Sequence, residues 1–335
     1  MNNTLLLNLT IHRLTFLKTT EKLLLSQTFT SPDDLLKLSK DDISQLIQRA
    51  IRKPVPPFWE AAEVARQDIQ YIEGNEIQPL FYWDVLYPSN LREIYNPPFC
   101  LFYRGTWFDP FAEMLGIVGT RYPSGSGKKA AFSLAFECGR VGDGVVSGLA
   151  KGIDGEAHAG ALAGKAYTCA VLGSGIDTIY PKENRKLAAD ILKKGGAILS
   201  EYPPGTPPLR YNFPERNRII SGLSRGVVII EAPKKSGALI TADFALEQGR
   251  DVFIHSESLA SEKWEGSQNL FRDGALCISN MEDILADWGR LIPEKSGENI
   301  SEDVEDTRIS GILSKFLEEE LTGEVLFHNG EYIRR

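Results

Sequence analysis

The chain has 335 residues, 42% of them hydrophobic, which is enough for a sizeable core and argues against a disordered tail protein. Its net charge of −8 speaks against a generic polyanion binder, but the charge is unevenly spread: residues 281–335 carry 14 acids against 6 bases, and residues 116–230 carry 15 bases against 9 acids. Local field governs the binding of a polyanion, so the basic middle segment keeps that class open. Cys100, Cys138, Cys169 and Cys277 lie far apart, in neither a disulfide framework nor a metal-ligand pattern, which points to a reducing compartment. The leucines near the start are interrupted by Asn8, His12, Arg13 and Lys18, with no basic region or cleavage site before them. No signal peptide, no membrane span and a cytoplasmic location are therefore expected.

Taken in order, residues 1–74 carry leucines at mixed helical spacing and a helix start at Thr30-Ser-Pro-Asp-Asp, with Pro32 at the first helical position. This suits either a small nucleic-acid or partner module or a packing appendage, and the lack of a basic stripe on one face favours the appendage. From residue 75 strands and turns begin. Leu115–Val118 is an apolar run that ends in the loop Gly119-Thr-Arg-Tyr-Pro-Ser-Gly-Ser-Gly127. A helix over Lys128–Val141 follows, then Val145-Val146 runs into a second glycine loop, Ser147-Gly-Leu-Ala-Lys-Gly-Ile-Asp154. That is the first βαβ of an open α/β sheet. Further apolar runs at Tyr167–Leu172, Ala197–Ser200, Gly226–Ile230, Asp251–His255 and Ala275–Ile278 alternate with helical segments. They predict a mostly parallel sheet with helices on both faces through residue 289. Residues 290–308 read as an acidic linker, and residues 309–335 as a helix plus a hairpin turning at Asn329-Gly330.

Nucleotide chemistry is poorly supported. No G-x-G-x-x-G follows a strand with an acid some twenty residues on. A phosphate loop at Gly127-Lys128 lacks its first glycine, replaced by Tyr122, and its hydroxyl, replaced by Lys129. Asp154 and His158, four apart on one helix, fit a general-base pair or, more often, a tied-down helix start. What remains is a row of loops rich in backbone N–H groups, hydroxyls and cations: Thr120-Arg121, Ser147-Gly148, Lys151, Gly173–Gly175, Asn217-Arg218 and Lys234–Thr241. Several such loops along one sheet edge suit a phosphate chain better than one small anion.

In order and spacing these loops resemble the DNA-processing protein A family (DprA, also called Smf). The residues are Gly116-Ile-Val-Gly-Thr-Arg121, Ser147–Asp154 with Ala157-His158, Ala170-Val-Leu-Gly-Ser-Gly175, and Tyr180-Pro181 with Asn184. The match continues through Ser200–Pro208, Phe213-Pro-Glu-Arg-Asn-Arg-Ile-Ile220, Ser236-Gly-Ala-Leu-Ile-Thr-Ala242 and Gly249–Phe253. The resemblance implies an extended Rossmann-like domain at 75–289 behind a small helical domain at 1–74, of the sterile-alpha-motif or helix-hairpin-helix kind, and a shortened winged-helix-like remnant at 309–335. It implies no enzyme and no cofactor, but a protein of natural transformation that binds single-stranded DNA without sequence choice, dimerises through the Rossmann-like domain and loads the RecA recombinase. The basic pocket carries over to Arg121 and Lys151, with Ser147, Gly148, Asn217, Arg218, Ser236 and Thr241 at neighbouring motif positions, and Tyr211 or Phe213 placed to stack a base.

The chain departs from the family's pattern at Ser256-Glu257, where a Pro-Gly turn is usual, at Gln268 and Ser126, and in the glycine-free stretch Phe16–Leu25. The alternative is a Rossmann nucleotide enzyme, such as a nucleoside-monophosphate phosphoribohydrolase of the lysine-decarboxylase-like group. Its Pro-Gly-Gly-x-Gly-Thr loop is missing from Lys235–Ile240.

Overall fold

The computed structural model describes residues 2–52, 55, 57–107 and 113–291, together with the backbone of two strands at 325–328 and 331–334. The sequence opens with helices α1 (Asn3–Arg13), α2 (Thr19–Thr28), α3 (Pro32–Leu36), α4 (Lys40–Leu46) and α5 (Phe58–Gly74). The starts of α1, α3 and α4 follow from short polar side chains. Asn2 accepts from the N–H groups of Thr4 and Leu5, and Ser31 accepts from Asp33 N–H, with Pro32 at the first helical position. Leu9, Ile11, Leu25, Leu35, Ile43 and Ile72 bury the shared face, and the same cluster runs on into Phe102, Ala170, Leu172 and Ile198 of the sheet. The helical segment is thus packed onto the α/β core.

The rest is β1 (Ile77–Phe81), α6 (Ser89–Arg92), β2 (Cys100–Gly105), β3 (Met114–Gly119), α7 (Gly125–Val141), β4 (Gly144–Ser147), α8 (Ile153–Ala163) and β5 (Thr168–Leu172). Then follow α9 (Arg185–Lys193), β6 (Ala197–Ser200), α10 (Asn212–Leu223), β7 (Gly226–Ile230), α11 (Gly237–Glu247), β8 (Asp251–His255), α12 (Glu265–Arg272), β9 (Leu276–Ile278) and α13 (Met281–Asp287). These strands form one nine-stranded sheet in the order β1-β2-β6-β5-β4-β3-β7-β8-β9. Pairing is parallel from β6 through to β9, and β2 and β1 add on antiparallel at one edge. This is the Rossmann-like α/β arrangement predicted from the sequence.

Both sheet faces are covered, which is why the strands are apolar throughout instead of alternating. In β3, Leu115 and Ile117 meet Ala131, Leu134 and Cys138 of α7. From the other face, Met114 and Val118 share a cluster with Ile219, Ile220 and Leu223 of α10 and Ala242 and Ala245 of α11. The sheet grows from β3 to β6 in one direction, then α10 carries the chain back to β7 on the other flank of β3. Adjacent strands β3 and β7 therefore send their following helices, α7 and α11, to opposite faces. The crevice between the two departing loops is where open α/β sheets bind ligands.

The predicted linker at 290–308, apart from residues 290–291, and the predicted helix after residue 308 lie outside the described residues. Strands β10 (Val325–His328) and β11 (Glu331–Arg334) pair antiparallel on either side of Asn329-Gly330. Among the described residues, no helix is long and apolar enough to cross a membrane.

Candidate nucleic-acid interface

At this crevice opens a cleft of about 800 Å³ lined by Thr120, Arg121 and Tyr122 after β3, by Arg210, Phe213, Arg216 and Asn217 at the start of α10, and by Lys235, Ser236 and Thr241. A side pocket of about 180 Å³ continues it past Gly148, Lys151 and Tyr180, sharing Arg121, Phe213 and Arg216. Arg121 and Lys151, which come from different glycine loops, thus face one cavity.

Two glycines make that juxtaposition. Gly152 has φ +79°, and a Cβ there would lie 2.8 Å from the carbonyl carbon of Arg121. Only a residue without a side chain lets the second loop touch the first. Ile153 N–H then donates to Thr120 O at 3.2 Å, joining the loops. Gly148 has the buried carboxylate of Asp154 and the guanidinium of Arg216 against it, leaving no room for a Cβ. Asp154 accepts from the N–H groups of Gly148 and Ala150 at 3.1 and 3.3 Å, so it holds the loop in shape. Burial raises its pKa, and Arg216 opposes that rise.

Arg216 is buried under the cleft. It donates to Gly148 O at 2.9 Å and to Val171 O, and burial lowers its pKa to about 10. Among the described lining residues of the two cavities the cations are Arg121, Lys151, Arg210, Arg216 and Lys235, against the single carboxylate of Asp154. Lys151 is exposed and paired with Glu183 at 2.6 Å, so a phosphate there competes with a solvated carboxylate. Aromatic rings stand among the cations. Arg121 lies over the Phe213 ring at 5.9 Å, Tyr180 meets Phe213 at 5.5 Å, and Tyr122 is 79% exposed, whereas Tyr211 does not line either cavity.

The remaining predicted site residues fall into three groups. Asn217, Ser236 and Thr241 line the cleft, with Asn217 donating to Gly237 O and Ser236 capping α11. Ser147 is fully buried and donates to Ile117 O at 2.7 Å, so its hydroxyl holds strand β4 to β3 and does not face the cavity. Arg218 requires a correction. It points away from the cleft and is held, 3% exposed, by both carboxylate oxygens of Glu201 at 2.7 Å. Neighbours two apart on a helix are separated by about 200° of rotation, so α10 cannot present both Arg216 and Arg218 to one cavity. Of the two, Arg216 lines the cleft and Arg218 does not, and the helical angle was the signal that separates them.

The Asp154–His158 pair does not form either. His158 is buried against the Thr168 hydroxyl at 2.7 Å, and burial takes its pKa down to about 3, so it stays neutral. Glu257 sits in a 3₁₀ turn after β8 and does not line the cleft. The start of α7, where a dinucleotide fold seats its pyrophosphate, is filled from within. The buried carboxylate of Glu231 accepts from Ser124 N–H at 2.7 Å and from the Ser124 hydroxyl, and it packs directly on Gly127. Among the described residues there is no cluster of His, Cys, Asp and Glu able to hold a metal ion.

Fold and cleft together define a Rossmann-like protein whose switch point carries a cationic, aromatic-studded groove and whose nucleotide-phosphate position is already occupied by its own carboxylate. Residues 78–289 match the model of the family described as DNA recombination-mediator protein A. The chain belongs to that family. It is 46% identical over 253 residues to protein Smf of Synechocystis, spanning 74% of this chain but only 61% of that relative's length. It is 44% identical over 211 residues to DNA processing protein DprA of Bacillus subtilis, covering 63% of this chain and 69% of that one. The solved DNA processing protein A of Streptococcus pneumoniae superposes with a TM-score of 0.68 at 34% identity, over 83% of this chain and 97% of that one. That of Helicobacter pylori, described for its single-stranded DNA binding mode, superposes with a TM-score of 0.56 at 28% identity, over 64% and 95%.

Proposed function

We propose that the switch-point cleft binds single-stranded DNA without sequence choice. The observation that carries this reading is the convergence of Arg121, Lys151, Arg210 and Lys235 with Phe213, Tyr180 and Tyr122 on one continuous cavity. Cations hold phosphates, and a ring stacks on any base, which together make affinity without reading base edges. A duplex keeps its bases stacked inside and offers the rings nothing. The wider role follows the family: a protein that is not an enzyme, protects incoming strands in the cytoplasm and helps load RecA during natural transformation. Homodimerisation through the Rossmann-like domain belongs to the same proposal, and the exposure of two apolar side chains, Leu276 of edge strand β9 at 47% and Phe271 of α12 at 44%, is in keeping with it. The test is a gel-shift of the full chain with an oligo-dT strand and with a duplex of the same length. Preference for the strand is expected. Equal binding to both, or turnover of a nucleoside monophosphate, would count against it.

A further inference from the structure

The segment 201–210 joins β6 to α10, and its two ends have different surroundings. At the near end Pro208 and Arg210 line the cleft, with Phe213 just beyond. The far end is held by the amino-terminal helices. His12 Nε2 of α1 donates to Glu201 O at 3.0 Å, and Arg13 Nη2 donates to Pro204 O at 2.9 Å. The same guanidinium makes a two-pronged bond to Asp68 of α5, Nε at 2.7 Å and Nη2 at 2.5 Å, where Asp68 is 4% exposed. Such paired charge-assisted bonds fix geometry as well as adding energy. One arginine therefore ties α1, α5 and the loop into a single joint.

The joint extends to the other wall of the cleft. Gly205 N–H donates to Asp177 Oδ1 at 3.0 Å, and Thr206 O accepts from Gly175 N–H at 2.8 Å. Gly175 and Asp177 belong to the loop after β5 that carries Tyr180 into the cavity. Between Pro204 and Arg210 the chain holds Gly205, Thr206, Pro207, Pro208 and Leu209. Gly205 and Thr206 are pinned by the bonds to Asp177 and Gly175, and each proline fixes its own φ, so a displacement at Pro204 is passed along the loop.

We propose that α1 and α5 are a brace for the DNA cleft, in which Arg13 and Asp68 are positioning residues that set Arg210 and Phe213 without touching the strand. The inference rests on the cleft being the single-strand site. It gives the helical segment a role in binding that needs no DNA contact of its own.

The experiment measures fluorescence anisotropy of an oligo-dT strand with the full chain across several salt concentrations, with thermal unfolding recorded alongside. The variants are Arg13→Ala, Asp68→Asn, their double, Arg210→Ala and Arg121→Ala. Because both brace variants break the same bond, each is expected to weaken binding about threefold to thirtyfold, the usual range for remote coupling. The double should be no worse than Arg13→Ala alone, which also loses the bond to Pro204 O. The slope of log affinity against log salt should be unchanged in all three, because the loop is re-seated on binding and the bound state keeps its phosphate contacts, whereas Arg210→Ala should reduce its magnitude by roughly 0.7. Asp68→Asn separates the brace from simple charge, because removing an acid should strengthen polyanion binding if long-range field were the cause. It is also close to isosteric, so it tests the idea even where Arg13→Ala fails to fold. Unchanged affinity in Asp68→Asn, or a reduced salt slope in Arg13→Ala, overturns the brace. If Arg121→Ala weakens binding while the brace variants do not, only this inference fails. If Arg121→Ala binds as the parent does, the cleft reading fails and takes the brace with it.

Discussion

Arg121 and Arg216 line the same cleft, and their surroundings assign them opposite duties. Arg121 is exposed on a glycine loop, with its guanidinium over Phe213. Arg216 is 4% exposed and spends its donors on Gly148 O and Val171 O, beside the buried Asp154. Removing one partner of a buried charged network costs about 3 kcal/mol or more, while a surface change away from such features stays within about 0.5 kcal/mol. Urea unfolding should therefore show Arg216→Ala strongly destabilised and Arg121→Ala near the parent. Similar stability for the two would mean that Arg216 is not the strut under the loops. At this scale the sequence was legible where a motif position coincided with an exposed loop, as at Arg121 and Lys151. It misled where neighbouring polar residues shared a motif. Ser147 ends strand β4 and Arg218 sits in α10, positions that look as available as their neighbours in one dimension, and only strand pairing and helix rotation bury them.

The elements came through more clearly. The apolar runs at 115–118, 168–172, 197–200 and 226–230 are strands, because a strand covered on both faces has to be apolar along its length. The order in which they pair was not written locally. That β7 lies beside β3, and that β1 and β2 add antiparallel at the edge, depends on contacts between residues far apart in the chain. The consequence of that order is the switch point, and beside it the β3 and β4 loops touch at Gly152. With φ +79° and ψ −126°, this backbone lies where L-residues are rarely found. Gly152→Ala should cost about 1–3 kcal/mol through backbone strain alone. It should also weaken single-strand binding, since the added carbon displaces the Arg121 peptide. Stability and affinity are measured on the same sample, and a variant that keeps both would show that the loops do not need this contact.

For the molecule as a whole, buried neutral histidines link stability to pH. His158 in the folded chain takes up a proton only near pH 3, because burial and nearby Arg216 disfavour its charge. Unfolded, it titrates near 6.5. Between these values the unfolded state binds more protons, so the stability contributed by neutral His158 is present above about pH 6.5 and is lost as pH falls. The stability gap between the parent and His158→Asn should narrow by about 1.4 kcal/mol per pH unit well below 6.5. A gap that stays constant to pH 5 would show that His158 carries its charge in the folded state. Seen from outside, the same core gathers cations at one sheet edge in a chain of overall charge −8. The most direct test is the salt dependence of oligo-dT binding for the parent, Arg121→Ala, Lys151→Ala and their double. Each cation that holds a phosphate should take roughly 0.7 from the magnitude of the slope of log affinity against log salt. Each should lower affinity about tenfold to hundredfold, as a charge-assisted contact of about 1.5–3 kcal/mol implies. A double variant with full affinity and an unchanged slope would contradict the assignment of this cleft to DNA.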